Sequence, residues 1–212
     1  RIKYDRAYNK PLHAAPKLEP IFHLDALHYP EHKKSILLLK YWDREALVDS
    51  EAAALFILAF RQIKKQIKTT ADFRTGNRLN EQMLIEAIDS AEKYCLKHFG
   101  KKHIPLGQLQ RHSRGAVNKP VSGGPDVMAA LTARAQEDGT LRAVSGDSYI
   151  ELVRFSDAGV EIESIHAFGA SAKANSPHYT DQMDMYLKRE LKTMTLDKEA
   201  VYQSAKRIYK PK

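Results

Sequence analysis

The sequence has one cysteine, Cys95, among 212 residues. An intrachain disulfide is therefore excluded, and the fold must be held by packing and hydrogen bonds. Cys95 falls on an apolar helical face, which reads as a buried thiol rather than a reactive one. The chain has no apolar run of membrane-spanning length, since the longest, residues 52–60, is about half of what a bilayer requires. There is no Gly-x-Ser-x-Gly elbow of the kind that exposes a nucleophilic serine on a strained turn. There is no phosphate loop either. Gly123-Gly124 lacks the spaced Gly-Lys-Ser/Thr that such a loop needs, and reads as a turn or a close backbone approach. Aromatic and basic residues are not interleaved as a nucleic-acid stacking platform requires. No repeat or low-complexity tract is present. The first residue is Arg1 and no signal peptide follows, which reads as a processed chain or a piece of a longer polypeptide.

Hydrophobic residues make up 43% and charged residues 28%, so the composition is that of a folded domain and not a disordered tail. The length suits one large domain or two small ones. The net charge is +8. A polyanionic partner would explain it. A solubilising surface, or an acidic partner chain, explains it as well. The lysines favour that plainer reading, being scattered or set on helix faces (Lys64, Lys65 and Lys68; Lys206, Lys210 and Lys212).

Residues 1–30 carry Pro11, Pro16, Pro20 and Pro30 and little periodicity, predicting one short helix ending near Tyr8 and otherwise extended chain. His28 and His32 have the i, i+4 spacing of a helical metal pair, but Pro30 between them argues against the helix. Imidazoles without a metal are the plainer reading. Residues 31–42 read as a helix. Asp49 or Ser50 then caps a strong one over residues 51–67, apolar nearly all round in its first turns. Asn80 caps a helix over residues 81–99, closed by Gly100, with Leu84, Ile88, Ala91 and Cys95 on its packed face. Residues 101–125 read as loop. Residues 126–136 fit a short helix or an irregular strand. Sheet begins at residues 141–144. Helices follow over residues 179–191 and, capped by Asp197, over residues 198–209.

The conspicuous stretch is residues 146–182. Tyr149, Glu151, Val153 and Phe155 alternate with Ile150, Leu152 and Arg154. After Ser156-Asp157-Ala158-Gly159 the alternation resumes with Val160, Ile162, Ser164 and His166, a hairpin signal. Residues 169–182 then collect Ser171, Asn175, Ser176, Pro177, His178, Tyr179, Asp181 and Gln182 with almost no large apolar side chain. Such a loop either faces solvent or is held by dense side-chain hydrogen bonds. A serine hydrolase would recruit Ser148, Ser171 or Ser176 with His166 or His178 and Asp147 or Asp181. A triad is defined by geometry, however, and Ser and Asp are common in loops because they bond nearby backbone. Carboxylates paired for glycoside chemistry are likewise defined by separation in space.

Several motifs stand in order: LGQLQR (residues 106–111), PVSGGPD (120–126), GDSY (146–149) and SPHYxDQ (176–182). Tyr41-Trp42-Asp43 and residues 48–56 precede them. Together they resemble the C-terminal part of the penicillin amidase family, which includes penicillin acylases and acyl-homoserine lactone acylases. The resemblance covers about residues 41–182. It implies an α+β segment of a four-layer αββα N-terminal nucleophile hydrolase sandwich. Residues 1–212 would be the C-terminal segment of the large chain, giving several helices and a C-terminal hairpin, and not an independent catalytic domain.

The resemblance also implies an autocatalytically processed zymogen that becomes a periplasmic or secreted bacterial heterodimer. The N-terminal serine of the large chain attacks the amide bond of N-acyl compounds, with its own α-amine as base. Acyl-homoserine lactones (quorum quenching) or penicillin side chains (antibiotic metabolism) are the implied substrates. Arg1 cannot be that serine, and the family's oxyanion asparagine lies upstream of the matched region. No catalytic, cofactor-binding or metal-binding residue is therefore expected on this chain. The implied partners are the small chain and the serine-bearing part of the large chain, with no membrane or nucleic acid. No cofactor is expected here, and a structural calcium would belong elsewhere in the assembly. His178, Asp181 and Gln182 are expected to be structural anchors. The rival reading from the residues is a non-catalytic basic module that binds a polyanion.

Overall fold

A computed structural model describes residues 18–67, 79–125, 129–206 and 208. The predicted helix near Tyr8 lies outside them. The chain divides into two compact units, Ile2–Asp147 and Ser148–Lys212. Together they hold helices and two sheets, an α+β composition.

The larger unit is built on three helices. Helix α1 (Lys33–Lys40) follows two 3-10 turns, Glu19–Phe22 and Pro30–His32. The helix predicted over residues 31–42 starts two residues later, because Pro30 opens a 3-10 turn ahead of it. Helix α2 (Glu51–Gln66) starts at Ser50, whose hydroxyl accepts from the Ala53 N–H. Of the two predicted caps, Ser50 is the one used. Every residue from Ala52 to Phe60 is buried, so α2 is the central rod of the core. Helix α3 (Glu81–Phe99) is capped by Asn80 and closed by Gly100 in the left-handed region, φ 71°, as its sequence predicts. Leu84, Ile88, Ala91 and Cys95 face the core together with Leu39, Phe56 and Ile63. Burial pushes the Cys95 thiol up to about 11, consistent with an inert core sulfur.

The first sheet has the order β2-β1-β4-β3. Its strands are β1 (Gln110–Arg114), β2 (Val117–Pro120), β3 (Leu131–Ala135) and β4 (Leu141–Gly146). Strands β1 and β4 are parallel, and the other pairs are antiparallel. Residues 106–120 correct the loop reading, because they form a short helix α4 (Leu106–Leu109) and the β1–β2 hairpin. Hydrophobic alternation could not show β1, since its buried positions are Gln110 and His112. The Gln110 amide donates to the Val121 and Gly123 carbonyls and so tolerates burial. Residues 131–135 resolve as strand. Gly123 has φ 100°, and a Cβ there would stand 2.5 Å from the Ala129 carbonyl oxygen, which is the close backbone approach expected.

The smaller unit is a three-stranded antiparallel meander, β5 (Tyr149–Ser156), β6 (Gly159–His166) and β7 (Lys192–Met194). The predicted hairpin stands, with Ser156 opposite Gly159 across Asp157-Ala158. The helix predicted over residues 179–191 shrinks to α5 (Met183–Leu187). It ends because Arg189 adopts φ 60°. The Glu190 N–H then bonds the Met185 carbonyl and the Arg189 N–H the Tyr186 carbonyl, a Schellman closure with arginine where glycine is usual. The chain leaves extended and forms β7. Asp197 caps α6 (Lys198–Ser204), which stops short of the expected residue 209.

Candidate functional site

Two regions gather chemistry-bearing side chains, one in each unit. In the larger unit the hub is Glu92, on the packed face of α3 and only 3% exposed. The Ser35 hydroxyl on α1 donates to Glu92 Oε1. Lys102 Nζ, just past α3, donates to Oε2 at 2.7 Å. His32 Nδ1 lies 3.2 Å from the same oxygen, close enough to attract but not aligned for a hydrogen bond. His103 Nε2 is 2.7 Å from Ser35 Oγ. Burial alone would raise the Glu92 pKa. The Lys102, Ser35 and His32 contacts together outweigh it and hold the carboxyl below its usual range. Burial, and then the nearby Lys34 charge, lower the pKa of His103.

Serine, histidine and glutamate in contact invite a hydrolase reading, and the hydrogen bonds exclude it. Ser35 has one hydroxyl proton and gives it to Glu92. Its oxygen must then accept from His103, which assigns the Nε2–H tautomer. The order is imidazole, hydroxyl, carboxylate. A serine nucleophile needs the imidazole in the middle, accepting the hydroxyl proton. Ser35 is also fully buried.

In the smaller unit, residues 168–182 form a loop whose ends meet, with the Gln182 N–H bonded to the Phe168 carbonyl. Side-chain hydrogen bonds hold it although residues 172–175, Pro177, His178 and Asp181 stay exposed, so both readings of its composition apply. Ser176 Oγ accepts the His178 N–H, and Ser171 Oγ accepts the Lys173 N–H. The Ser171 N–H reaches back to the His178 carbonyl. Asp181 takes His178 Nδ1 at 2.8 Å with one oxygen and the Ala170 N–H with the other. Burial would raise the Asp181 pKa, and these bonds outweigh it and lower it. Gln182 is buried, and its Oε1 accepts the His166 N–H at the end of β6. Gly169 is required, since a Cβ there would stand 2.4 Å from the His178 carbonyl oxygen. The loop therefore knots upon itself and onto β6.

The sequence-level triad candidates are not brought together. His178 engages Asp181, while the Ser171 and Ser176 hydroxyls serve as turn acceptors. Ser148 immediately precedes β5, bonded through its carbonyl to the Ala167 N–H, and the His166 ring lies tilted against Tyr149 with ring centroids 4.9 Å apart. His28 and His32 do not pair either: His28 is exposed beside Asp25, and His32 turns inward to Glu92. Among the described residues, no three His, Cys, Asp or Glu side chains converge on a metal position. No helix among them is long and apolar enough to cross a membrane. An open cleft of about 1060 Å³ lies in the larger unit beside α1, lined by Leu37, Leu38, Tyr41 and Leu47 together with charged side chains such as Lys34 and Glu51. It contains no converging set of buried polar groups that would orient a small substrate.

Sequence reasoning missed the Glu92 hub, whose members lie far apart in the chain. One signal could have exposed it. Glu92 follows Ile88 by four residues and precedes Cys95 by three, so a carboxylate sits inside the apolar stripe of α3.

The penicillin amidase family model matches residues 7–203. An acyl-homoserine lactone acylase PvdQ of Pseudomonas fluorescens (strain Pf0-1) is 30% identical over 121 residues, covering 56% of this chain and 16% of the relative. The PvdQ acylase of Pseudomonas syringae pv. syringae is 27% identical over the same length and 15% of its own. A thermostable penicillin G acylase from Alcaligenes faecalis aligns in structure with a TM-score of 0.40 and 15% identity, over 94% of this chain and 46% of the acylase chain. The matched region spans about a sixth of the length of these curated relatives. The family model takes in both units, with the Glu92 hub and the knotted loop, and on that match the chain belongs to the penicillin amidase family.

Proposed function

We propose that this chain is the C-terminal segment of the large chain of an N-terminal nucleophile amidohydrolase, and that it supports a catalytic serine carried elsewhere. The observation that carries the reading is the family match over residues 7–203. The geometry agrees with a supporting role. The serine-histidine contact of the larger unit is buried and ordered the wrong way round for attack. The serines of the polar loop hold turns.

In this reading the two sheets join a four-layer αββα sandwich completed by the rest of the polypeptide. A precursor is cut autocatalytically into small and large chains, and the new N-terminal serine forms an acyl-enzyme with its own amine as base. An N-acyl compound is the substrate. Acyl-homoserine lactones come first, because curated relatives that this chain matches are named for them. Penicillin-type side chains come second. The compartment is the periplasm or the exterior of a bacterium. The reading needs no cofactor on this chain and leaves any structural calcium to another part of the assembly.

The test is expression of the full-length gene, followed by mass spectrometry and an assay against acyl-homoserine lactones and penicillins. Co-purifying chains, one beginning with serine, with release of fatty acid or phenylacetate, are expected. A lone species retained on heparin and inactive on both classes would favour the basic-module alternative, which the net charge of +8 keeps in view.

A further inference from the structure

We propose that the Glu92 hub is an acid-sensitive latch that fastens residues 18–40 to α3 and lets them go when the hub takes up protons. Three separate pieces of chain meet at one buried carboxylate. They are the turn and helix carrying His32 and Ser35, helix α3 carrying Glu92, and the segment after α3 carrying Lys102 and His103. The hub is thus a tie between parts distant in sequence, and its bonds depend on charge state.

The charges around it make the response directional. At neutral pH one buried carboxylate faces the Lys102 ammonium at 2.7 Å, with Lys34 nearby, while His103 is neutral and donates to Ser35. Glu31 approaches His32 from the solvent side at 3.8 Å, and Glu51 of α2 adds a weaker negative field at His103. A proton added to His103 places a third cation beside Lys34 and Lys102. A proton added to Glu92 then removes the anion that all of them share.

The imidazole pKa is lowered by folding, so protonation favours the released form as pH falls below the ordinary histidine value, roughly 6.5. The carboxyl pKa is also lowered. Its contribution is fully present above roughly pH 4.3 and is lost as pH falls through the folded value. Both steps weaken the same tie in the same direction.

The molecule carries its own reporter. Trp42, its single tryptophan, lies just beyond α1 and packs on Phe22 and Phe56, with centroids 6.3 and 5.3 Å away. The experiment titrates the full chain from pH 7.5 down to about 2.5, through the carboxylate range, following Trp42 emission, hydrogen-exchange protection factors, and the His103 ring resonances by NMR. The expected result is a change in Trp42 emission and a roughly tenfold or larger loss of α1 protection between about pH 6.5 and 4.3, while β1–β4 amides stay protected. The His103 resonances should move with the same midpoint. His103→Gln, which keeps a donor towards Ser35, should lower the midpoint by about one pH unit or more, into the carboxylate range. Loss of protection in α1 and the sheet together, a His103 titration displaced from the Trp42 transition, or an unshifted midpoint in H103Q would each overturn the latch. The resonance comparison needs no variant, so it decides the matter even if H103Q fails to fold.

Discussion

Two regions of the molecule concentrate polar side chains, and they differ in how far apart their members lie in sequence. The loop of residues 168–182 is contiguous and obvious by eye, and much of it remains solvated. His178 is 60% exposed in the ion pair it makes with Asp181. The Glu92 hub is assembled from residues up to 71 positions apart, counted from Lys102 to Glu31, and its centre is almost dry. A dense polar run shows where the backbone needs help to turn. A converging polar cluster shows where distant segments are tied, and it carries the larger energetic stake because an unpaired buried charge costs several kcal/mol, whereas an exposed pair contributes under about 1 kcal/mol.

That contrast orders the expected mutational effects. Glu92→Ala should be the most damaging, at about 3 kcal/mol by urea denaturation, since it strips the partner from Lys102, His32 and Ser35 together. A loss no larger than that of a surface substitution would erase the distinction between the regions. Gly169→Ala comes next, at roughly 1–3 kcal/mol, because the new methyl group meets the His178 carbonyl oxygen and the Asp181 carboxylate. Thermal unfolding followed by hydrogen exchange should place that loss in the smaller unit. Ser50→Ala should cost about 1 kcal/mol in the larger unit through the lost cap on α2. His178→Ala should cost least, under about 1 kcal/mol, with amide hydrolysis by the complete enzyme falling only in step with stability. A variant that lost hydrolysis while keeping full thermal stability would move the loop from anchor to active site.

How much of this the sequence shows depends on whether the deciding interaction is local. Caps are local, so Asn80, Gly100 and Asp197 mark their helix ends correctly and the start of α2 is narrowed to Asp49 or Ser50. Alternation is local, so the β5–β6 hairpin is read with its turn. Strand β1 is hidden because its inward residues are Gln110 and His112, and the carbonyls of Val121 and Gly123 that satisfy the Gln110 amide arrive from further along the chain. The end of α5 is hidden because Arg189 occupies a left-handed position that glycine normally marks. In the candidate regions, the partners of Asp181 and Gln182 lie within 16 residues along the chain, whereas the tie at Glu92 needs the third dimension.

The central claim is that this chain supports a nucleophile it does not contain. The most direct measurement is covalent labelling of the active full-length enzyme with a serine-directed sulfonyl fluoride, with the modified residue located by peptide mass spectrometry. The prediction is one labelled serine at the N-terminus of a chain segment outside residues 1–212, with loss of amide hydrolysis in proportion to labelling. Stoichiometric, activity-abolishing label on Ser35, Ser148, Ser171 or Ser176 would contradict it.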